Sequence, residues 1–188
     1  MPYSIPEIIT DNLIITILDP ADFSLLVKYE KSNRERLSKW EPTRSENYYT
    51  DKSVKSRVEL NVESFKSGSA ITLVGLDKTR SRIICICNFS NIVHGVFQAC
   101  NLGYSVNTQD EGKGLMFEML QACIDYAFSK IKLHRIMANY IPSNVRSEKL
   151  LTNLGFEKEG IAKSYLKIAG IWQDHVLTSK INPSHFGI

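Results

Sequence analysis

Residues 100–131 change their hydrophobic period in the middle. In the first part, apolar and aromatic residues recur at every second position, as on one face of a β-strand: Cys100, Leu102, Tyr104 and Val106. In the second part, apolar residues recur at intervals of three and four, as on one face of an α-helix: Leu115, Met116, Met119, Leu120, Cys123, Ile124, Ala127 and Ile131. The sequence therefore predicts a strand that passes through a short loop into a helix.

The loop at residues 109–114 contains two glycines one residue apart, Gly112 and Gly114. Glycine permits backbone dihedrals that other residues avoid and lets a ligand approach the main chain closely. The first N–H groups of the following helix lack intrahelical partners and carry partial positive charge. These features predict an anion site made of main-chain amides, with Lys113 as a nearby mobile cation. The glycines alone are equally typical of a tight turn.

Neither of the two familiar phosphate motifs fits this loop. A dinucleotide fingerprint requires a third glycine where Phe117 stands. A P-loop requires Gly-Lys followed by Ser or Thr, which the sequence lacks. A phosphate cradle at this loop would therefore be of another kind.

The other patterns predict one mixed α/β sheet with helices on both faces. Strands are predicted at residues 13–18, 70–76, 83–89, 96–106, 135–141, 161–168 and 171–180. Helices are predicted at residues 19–30, 34–40, 53–66, 115–131 and 144–154, with stops at Gly68 and Gly155. Residues 45–50 are expected to be a loop, and residues 88–95 a hairpin connection.

The composition suits one globular domain over residues 1–188, because 43% of the 188 residues are hydrophobic and 23% are charged. The formal net charge of +3 is too small to argue for nucleic acid as a partner. No stretch is apolar enough for a membrane span, and the N-terminus lacks signal-peptide features. Since the cysteines form no Cys-x-x-Cys pair and the histidines have no metal-ligand spacing, we expect a reduced, cytoplasmic chain without a metal.

Two motifs resemble the signatures of the GCN5-related N-acetyltransferases, the GNAT family. The motif Gln-x-x-Gly-x-Gly at residues 109–114, between a strand and a long helix, resembles that family's acetyl-CoA loop. The motif Asn-x-x-Ser-x-x-Leu-Leu-x-x-Leu-Gly-Phe at residues 144–156 resembles its second signature. The resemblance covers about residues 8–182.

A narrower resemblance links the chain to the RimJ/RimL group of ribosomal-protein N-acetyltransferases. It is carried by residues 40–42, 88–91, 112–118, 134–140 and 154–160. This resemblance implies that the chain moves an acetyl group from acetyl-CoA to the N-terminal α-amine of a protein. The expected acceptor is an alanine of a small-subunit ribosomal protein.

The family also implies a fold. It predicts a mostly antiparallel, twisted sheet of six to seven strands with a splayed central pair. Tyr104 and Val106 would lie where the third strand parts from residues 135–141. The exposed main chain there would pair with the pantetheine arm of acetyl-CoA as with another strand.

The resemblance assigns further acetyl-CoA contacts to residues of the two motifs. The pyrophosphate would be bound by the loop that begins at Gln109 and by the amides of Glu111, Gly112, Lys113, Gly114 and Leu115. Asn144 would bond the pantetheine on its far side. Capping the helix that follows is a competing role for Asn144.

Direct attack on the thioester needs a neutral amine, a polarised carbonyl and a stabilised thiolate. A model α-amine has a pKa of roughly 7.7–8.0, so a useful fraction is neutral near pH 7 without a strong base. A strand N–H near Val106 is expected to polarise the carbonyl. The RimJ/RimL group suggests the serine three residues after Asn144, so Ser147 is the predicted donor to the leaving sulfur. The alternative is that Ser147 is only a small helix residue.

Glu41 is the predicted base, acting through water or as an electrostatic partner of the incoming amine, and Glu159 is the next candidate. Some relatives carry a glutamate where this chain has Leu166, so their base cannot be transferred to it. Any single glutamate can equally be a solvated surface acid. The acceptor is expected to enter past three aromatic residues, whose alternative place is the core: Trp40, Tyr165 and Trp172.

Two other functions fit the same sequence. One is acetylation of a small amine such as an antibiotic or polyamine, although the lack of a long acidic run disfavours a polyamine. The other is a ribosome assembly factor on this fold, with ribosomal RNA contacting a basic patch: Lys130, Lys132, His134 and Arg135. Both a monomer and a homodimer are compatible with the sequence.

Overall fold

The computed structural model describes residues 4–185, and within them eight strands form one sheet. The strands are β1 (Glu7–Ile9), β2 (Ile14–Thr16), β3 (Ile71–Leu76), β4 (Ile83–Val93), β5 (Ala99–Val106), β6 (Arg135–Met137), β7 (Glu157–Ile168) and β8 (Ile171–Ile181). Their order is β1-β2-β3-β4-β5-β6-β8-β7. Among these described strands, β5 and β6 form a parallel pair and the other neighbours are antiparallel.

Helices cover both faces of the sheet, as predicted. They are α1 (Phe23–Leu37), α2 (Asp51–Ser67), α3 (Leu115–Ser129) and α4 (Val145–Asn153). The buried face of α3 packs with Leu151 and Leu154 into the larger apolar cluster. The buried faces of α1 and α2 form a second apolar cluster with Val74 and Ile83. Alternate residues of β3 and β4 enter the two clusters because side chains alternate across a sheet.

Local sequence determines where α2 and α4 begin and end. Thr50 accepts a hydrogen bond from the Ser53 N–H at 3.3 Å, and Gly68 ends α2 with a left-handed φ of 74°. After α4, Gly155 has a φ of 79° and the Phe156 N–H donates to the Leu151 carbonyl at 3.0 Å. Both glycine stops predicted from the sequence are confirmed.

The predicted fold class is confirmed, but the sheet has one strand more than the expected six to seven. The additional strand is β1, which is three residues long and pairs with β2. Three residues are too few to show a period of two, so the pattern gave no indication of it. The β6 strand is correspondingly shorter than predicted, at three residues instead of residues 135–141.

The first helix and the first hairpin also differ from the prediction. Instead of two pieces at residues 19–30 and 34–40, α1 runs unbroken from Phe23 to Leu37. In its polar middle, buried Asn33 donates a side-chain hydrogen bond to the Tyr29 carbonyl at 2.7 Å. The β4 strand extends to Val93 across an irregularity in its pairing, so the hairpin connection comes later than residues 88–95.

Gly75 lies on β3 where the sheet packs tightly against α3. A Cβ atom there would lie 3.1 Å from the Met119 sulfur and 3.4 Å from a Leu13 methyl group, and both side chains are fully buried. We expect Gly75→Ala to lower the free energy of unfolding by about 1–2 kcal/mol through overpacking. Urea unfolding of the variant and the wild type measures this difference in the free energy of unfolding.

Gly160→Ala on β7 is the matched control, since a Cβ there would meet no atom within 4 Å. It is expected to leave stability unchanged or to raise it by about 0.4–1 kcal/mol. Equal stability of the two variants would contradict the tight packing at Gly75.

Candidate active site

The strands β5 and β6 part at the centre of the sheet, which confirms the predicted splayed pair. Their pairing joins Ala99 to Arg135, Cys100 to Ile136 and Asn101 to Met137, and then ends. Residues 102–106 continue along β4 alone.

The free edge of β5 exposes main-chain groups to the gap. The Asn107 N–H donates to the Ile84 carbonyl at 2.7 Å, so Asn107 faces β4. Main-chain groups of successive residues alternate in direction along an antiparallel strand. Those of Tyr104 and Val106 therefore point away from β4, toward the opening.

A cleft of about 690 Å³ lies at this opening. Most of the predicted site residues line it: Tyr104, Val106, Glu111, Gly112, Gly114, Leu115, Asn144 and Ser147. The cleft thus brings the glycine loop, the parted strand and the start of α4 together. Gln109 and Lys113, which were predicted with them, do not line it.

The glycine loop presents unpaired main-chain donors to the cleft. Gly112 and Gly114 have left-handed φ angles of 75° and 78°, as their predicted conformational freedom requires. In the described part of the chain, the N–H groups of residues 112–115 have no hydrogen-bond acceptor. Consecutive free amides at the start of α3 are a suitable anion site.

Lys113 is not the mobile cation that the sequence predicted. Its Nζ donates to Asp110 at 3.1 Å. Arg82, in the turn that precedes β4, donates to the same carboxylate. The Asp110 side chain is only 3% exposed. Its hydrogen bond with Arg82 is the largest cause that lowers the pKa of Asp110, and Lys113 adds to it. These two ion pairs hold the loop, and Asp110 lines the cleft while Lys113 does not.

Two arginines share the carboxylate of Glu111 at the mouth of the cleft. Arg36 of α1 approaches one oxygen at 2.9 Å, and Arg146 of α4 donates to the other at 2.6 Å. The Arg146 side chain is 83% exposed. The mouth therefore carries two guanidinium groups for one carboxylate.

A row of polar side chains on α1, which no sequence pattern predicted, holds this region. The Tyr29 hydroxyl bonds the Ser105 hydroxyl at 2.8 Å. The Asn33 side-chain oxygen, Oδ1, accepts from the N–H and the hydroxyl of Thr108, both at 2.9 Å. Arg36 donates to the Val106 carbonyl and to Thr108. The missed sequence feature is spacing: positions 29, 33 and 36 lie on one helix face.

Asn144 has the capping role that the sequence allowed, and its place in the cleft leaves the predicted contact with pantetheine open to it. Its side-chain oxygen accepts from the Ser147 N–H at 3.1 Å, so it caps α4. It also lines the cleft, as does Ser147 one turn later. Both side chains are half-buried. The cap uses the Ser147 main chain, so the Ser147 hydroxyl is not required for it.

Glu41 lies in a second cavity of about 330 Å³ between α1, α2 and the sheet. This cavity meets the cleft at Leu37 and Ser105, which line both. Burial raises the pKa of Glu41, and Arg44 acts in the opposite direction. The Glu41 carbonyl accepts from the Ala169 N–H at 3.0 Å, which ties the tip of the β7–β8 hairpin to this segment.

The other predicted base, Glu159, lies in neither cavity. It pairs with Arg135 and accepts a hydrogen bond from the Ser179 hydroxyl at 2.9 Å. The Arg135 hydrogen bond is the largest cause that lowers the pKa of Glu159. A carboxylate held in this way is a weak base.

Of the three aromatic residues expected at the entrance, only Trp40 lines the cleft. Tyr165 and Trp172 are 41% and 61% exposed on the β7–β8 hairpin and line neither cavity. In the predicted basic patch, Arg135 is paired with Glu159 and the His134 ring stacks on His185.

No helix among residues 4–185 has both the length and the apolar character that crossing a membrane requires.

Residues 12–157 match the sequence profile of a family described as Acetyltransferase (GNAT) domain. The chain therefore belongs to the GNAT acetyltransferase family. This confirms the family predicted from the glycine loop and the second motif, and with it the enzyme class of N-acetyltransferase.

Individual relatives agree with the narrower resemblance. The chain is 46% identical over 174 residues to the ribosomal protein uS5-alanine N-acetyltransferase of Escherichia coli (strain K12), covering 93% of this chain and 90% of that protein. The ribosomal-protein-S5-alanine acetyltransferase from Vibrio fischeri has a TM-score of 0.90 at 40% identity, covering 95% of this chain and 97% of that one. Mycobacterium smegmatis RimJ in complex with CoA-disulfide has the same fold, with a TM-score of 0.86 at 22% identity over 99% of this chain and 90% of that one.

The Asp110 pair predicts a dependence of stability on pH. The folded-state pKa of Asp110 lies below its ordinary value of 3.8, so its contribution is complete above that value and is lost as the pH falls through the folded-state pKa. We expect Asp110→Asn to cost about 1–3 kcal/mol at pH 7. The difference from wild type should shrink below the ordinary pKa. Urea unfolding at a series of pH values measures both.

Asp11→Asn is a suitable control because Asp11 is exposed. It should have little effect at any pH. A difference between Asp110→Asn and wild type that is the same at pH 7 and pH 3 would contradict the ion-pair interpretation.

Proposed function

We propose that this chain transfers an acetyl group from acetyl-CoA to the N-terminal α-amine of a protein, and that the acceptor is the alanine of ribosomal protein uS5. We further propose that a single domain carries the reaction and that it occurs in the cytoplasm. The observation that carries the proposal is the parted β5–β6 pair beside free loop amides. The choice of acceptor is supported by the Escherichia coli relative and its named substrate.

The residues of the cleft fit acetyl-CoA. The free N–H groups of residues 112–115 would bind the diphosphate, for which Gly112 and Gly114 leave open space. Arg36 and Arg146 would add positive charge at the mouth. The main-chain groups of Tyr104 would pair with the pantetheine arm, and Asn144 would bond its other side.

The chemistry that acetyl-CoA supplies is an activated thioester. The Val106 N–H faces the opening and would polarise the thioester carbonyl. The Ser147 hydroxyl would donate a hydrogen bond to the sulfur as the thiolate leaves. No strong base is needed, because a model α-amine has a pKa of roughly 7.7–8.0 and is partly neutral near pH 7.

Glu41 would act from the acceptor side. The cavity that contains it adjoins the cleft, because Leu37 and Ser105 line both, and the acceptor amine would approach the thioester from this side. Burial raises the pKa of Glu41, which makes its carboxylate a stronger proton acceptor than an exposed glutamate. A water molecule would carry the proton between amine and carboxylate.

A panel of acceptors tests the proposed reaction. A peptide with the N-terminal sequence of uS5, beginning with alanine, should be acetylated with a kcat/KM about 100-fold above that of spermidine or an aminoglycoside, a difference of about 2.7 kcal/mol. Thiol release from acetyl-CoA measures turnover. The same peptide with a blocked α-amine is the control and should be inert. Equal or faster turnover of the small amines would contradict the proposed acceptor.

Ser147→Ala tests the proposed sulfur donor. Losing one hydrogen bond to the developing thiolate should lower kcat by about 10²-fold. The dissociation constant of CoA, measured by calorimetry, should stay within about twofold because the Asn144 cap uses only main-chain atoms. Ser143→Ala is the matched control, since Ser143 lines the same cleft without a proposed part in the reaction. An unchanged kcat in Ser147→Ala would remove Ser147 from the mechanism.

A further inference from the structure

The Tyr104 hydroxyl is a buried polar group without a hydrogen-bond partner. Within residues 4–185, its oxygen has no hydrogen-bond partner at an acceptable distance and angle. Buried polar side-chain atoms are nearly always paired, because an unpaired one loses its hydration without compensation. Phenylalanine would fill the same space without this penalty. The hydroxyl therefore needs an explanation outside the packing of the core.

The surroundings of Tyr104 indicate what the hydroxyl can bind. Its side chain lies on the same face of β5 as those of Cys100 and Leu102, the face that packs toward α3 and α4. It lines the cleft together with Ser147 and Leu150 of α4. The Ser147 side chain is near enough to lower the pKa of the phenol, but the two groups do not have the geometry of a formed hydrogen bond.

The protonation state of the phenol limits what it can do. Burial is the largest effect and raises the pKa of Tyr104 to about 12, while Ser147 acts in the opposite direction. The phenol therefore keeps its proton near neutral pH. A protonated phenol in an apolar wall is a hydrogen-bond donor and not a base.

We propose that Tyr104 is a positioning residue for Ser147: its O–H donates to the Ser147 oxygen when the cleft is filled, which directs the Ser147 O–H at the thioester sulfur. This inference rests on the proposed function. A hydroxyl accepts and donates at once, so the two groups can form a chain that ends at the sulfur. The hydrogen bonds of such a chain polarise one another, which strengthens the final bond from Ser147 to the sulfur.

The reaction balances without proton transfer from Tyr104. The amine nitrogen forms a bond to the acetyl carbon, and the bond between that carbon and sulfur breaks. Sulfur keeps the electron pair and is held as a thiolate by the Ser147 O–H, while the surplus proton of the amine passes to water. Tyr104 and Ser147 both end the step with their own protons, ready for the next turnover.

Tyr104→Phe tests the inference. It should lower kcat about tenfold, leave the dissociation constant of CoA within about twofold by calorimetry, and leave the melting temperature unchanged or slightly higher. In a Ser147→Ala background, Tyr104→Phe should have no further effect on kcat, because Tyr104 acts only through Ser147. Tyr140→Phe is the matched control, since this buried tyrosine lies outside the cleft lining. It should leave kcat unchanged.

A crystal structure with bound CoA gives a readout that does not depend on turnover. The Tyr104 and Ser147 oxygens should approach to within about 3.2 Å. A longer separation, an unchanged kcat in Tyr104→Phe, or a full tenfold loss in the Ser147→Ala background would each overturn the inference. A wild-type chain that binds CoA but acetylates no amine would instead overturn the proposed reaction, and the measured separation would still decide the part of Tyr104.

Discussion

The early end of pairing between β5 and β6 is the constraint on which the candidate site depends. Each strand is held by its other neighbour. Beyond Asn101, β5 follows β4, while the residues after β6 follow β8 through the Ala138 N–H to the Thr178 carbonyl at 3.0 Å. Tyr140 and Val176 then exchange two hydrogen bonds at 3.2 and 2.8 Å. Because both halves of the sheet are satisfied elsewhere, the gap can stay open without leaving either strand unsupported.

The α1 helix adds a second support to the same edge. Tyr29, Asn33 and Arg36 reach the end of β5 and the loop beyond it from one face of the helix. A buried asparagine that accepts two hydrogen bonds fixes Thr108 more sharply than apolar packing would, since hydrogen bonds are directional. The glycine loop therefore starts from a defined position although its own residues are conformationally permissive.

Features of the structure that depend on nearby residues were predicted correctly from the sequence. The strand–loop–helix junction, the cap at Asn144 and the stop at Gly155 each depend on residues a few positions apart, and a pattern of period two or 3.6 with its capping residue contains that information. The features that were missed depend on distant partners. Asn33 meets Thr108 across 75 positions, and Arg36 meets Val106 across 70. No local pattern distinguishes such a residue from a solvated one.

Lys113 and Glu41 show the same limit within the site. Lys113 stands between two glycines, where the sequence suggested a free cation, but buried Asp110 three residues earlier takes it. Glu41 was predicted beside the chemistry, and the fold gives it a separate cavity that only adjoins the cleft. In both cases the residue type indicated a function. The neighbouring residues that pair with Lys113 or enclose Glu41 could not be predicted from the sequence.

The acidic residues of the loop also become compatible with an anion site once their partners are known. Two carboxylates next to a diphosphate would repel it if they were free. Asp110 is buried between Arg82 and Lys113, and Glu111 is shared by Arg36 and Arg146. Four cations thus pair with two carboxylates, which leaves a local surplus of positive charge around the glycine loop. A chain of net charge +3 needs no strong overall field to bind a polyanion, because this charge is local.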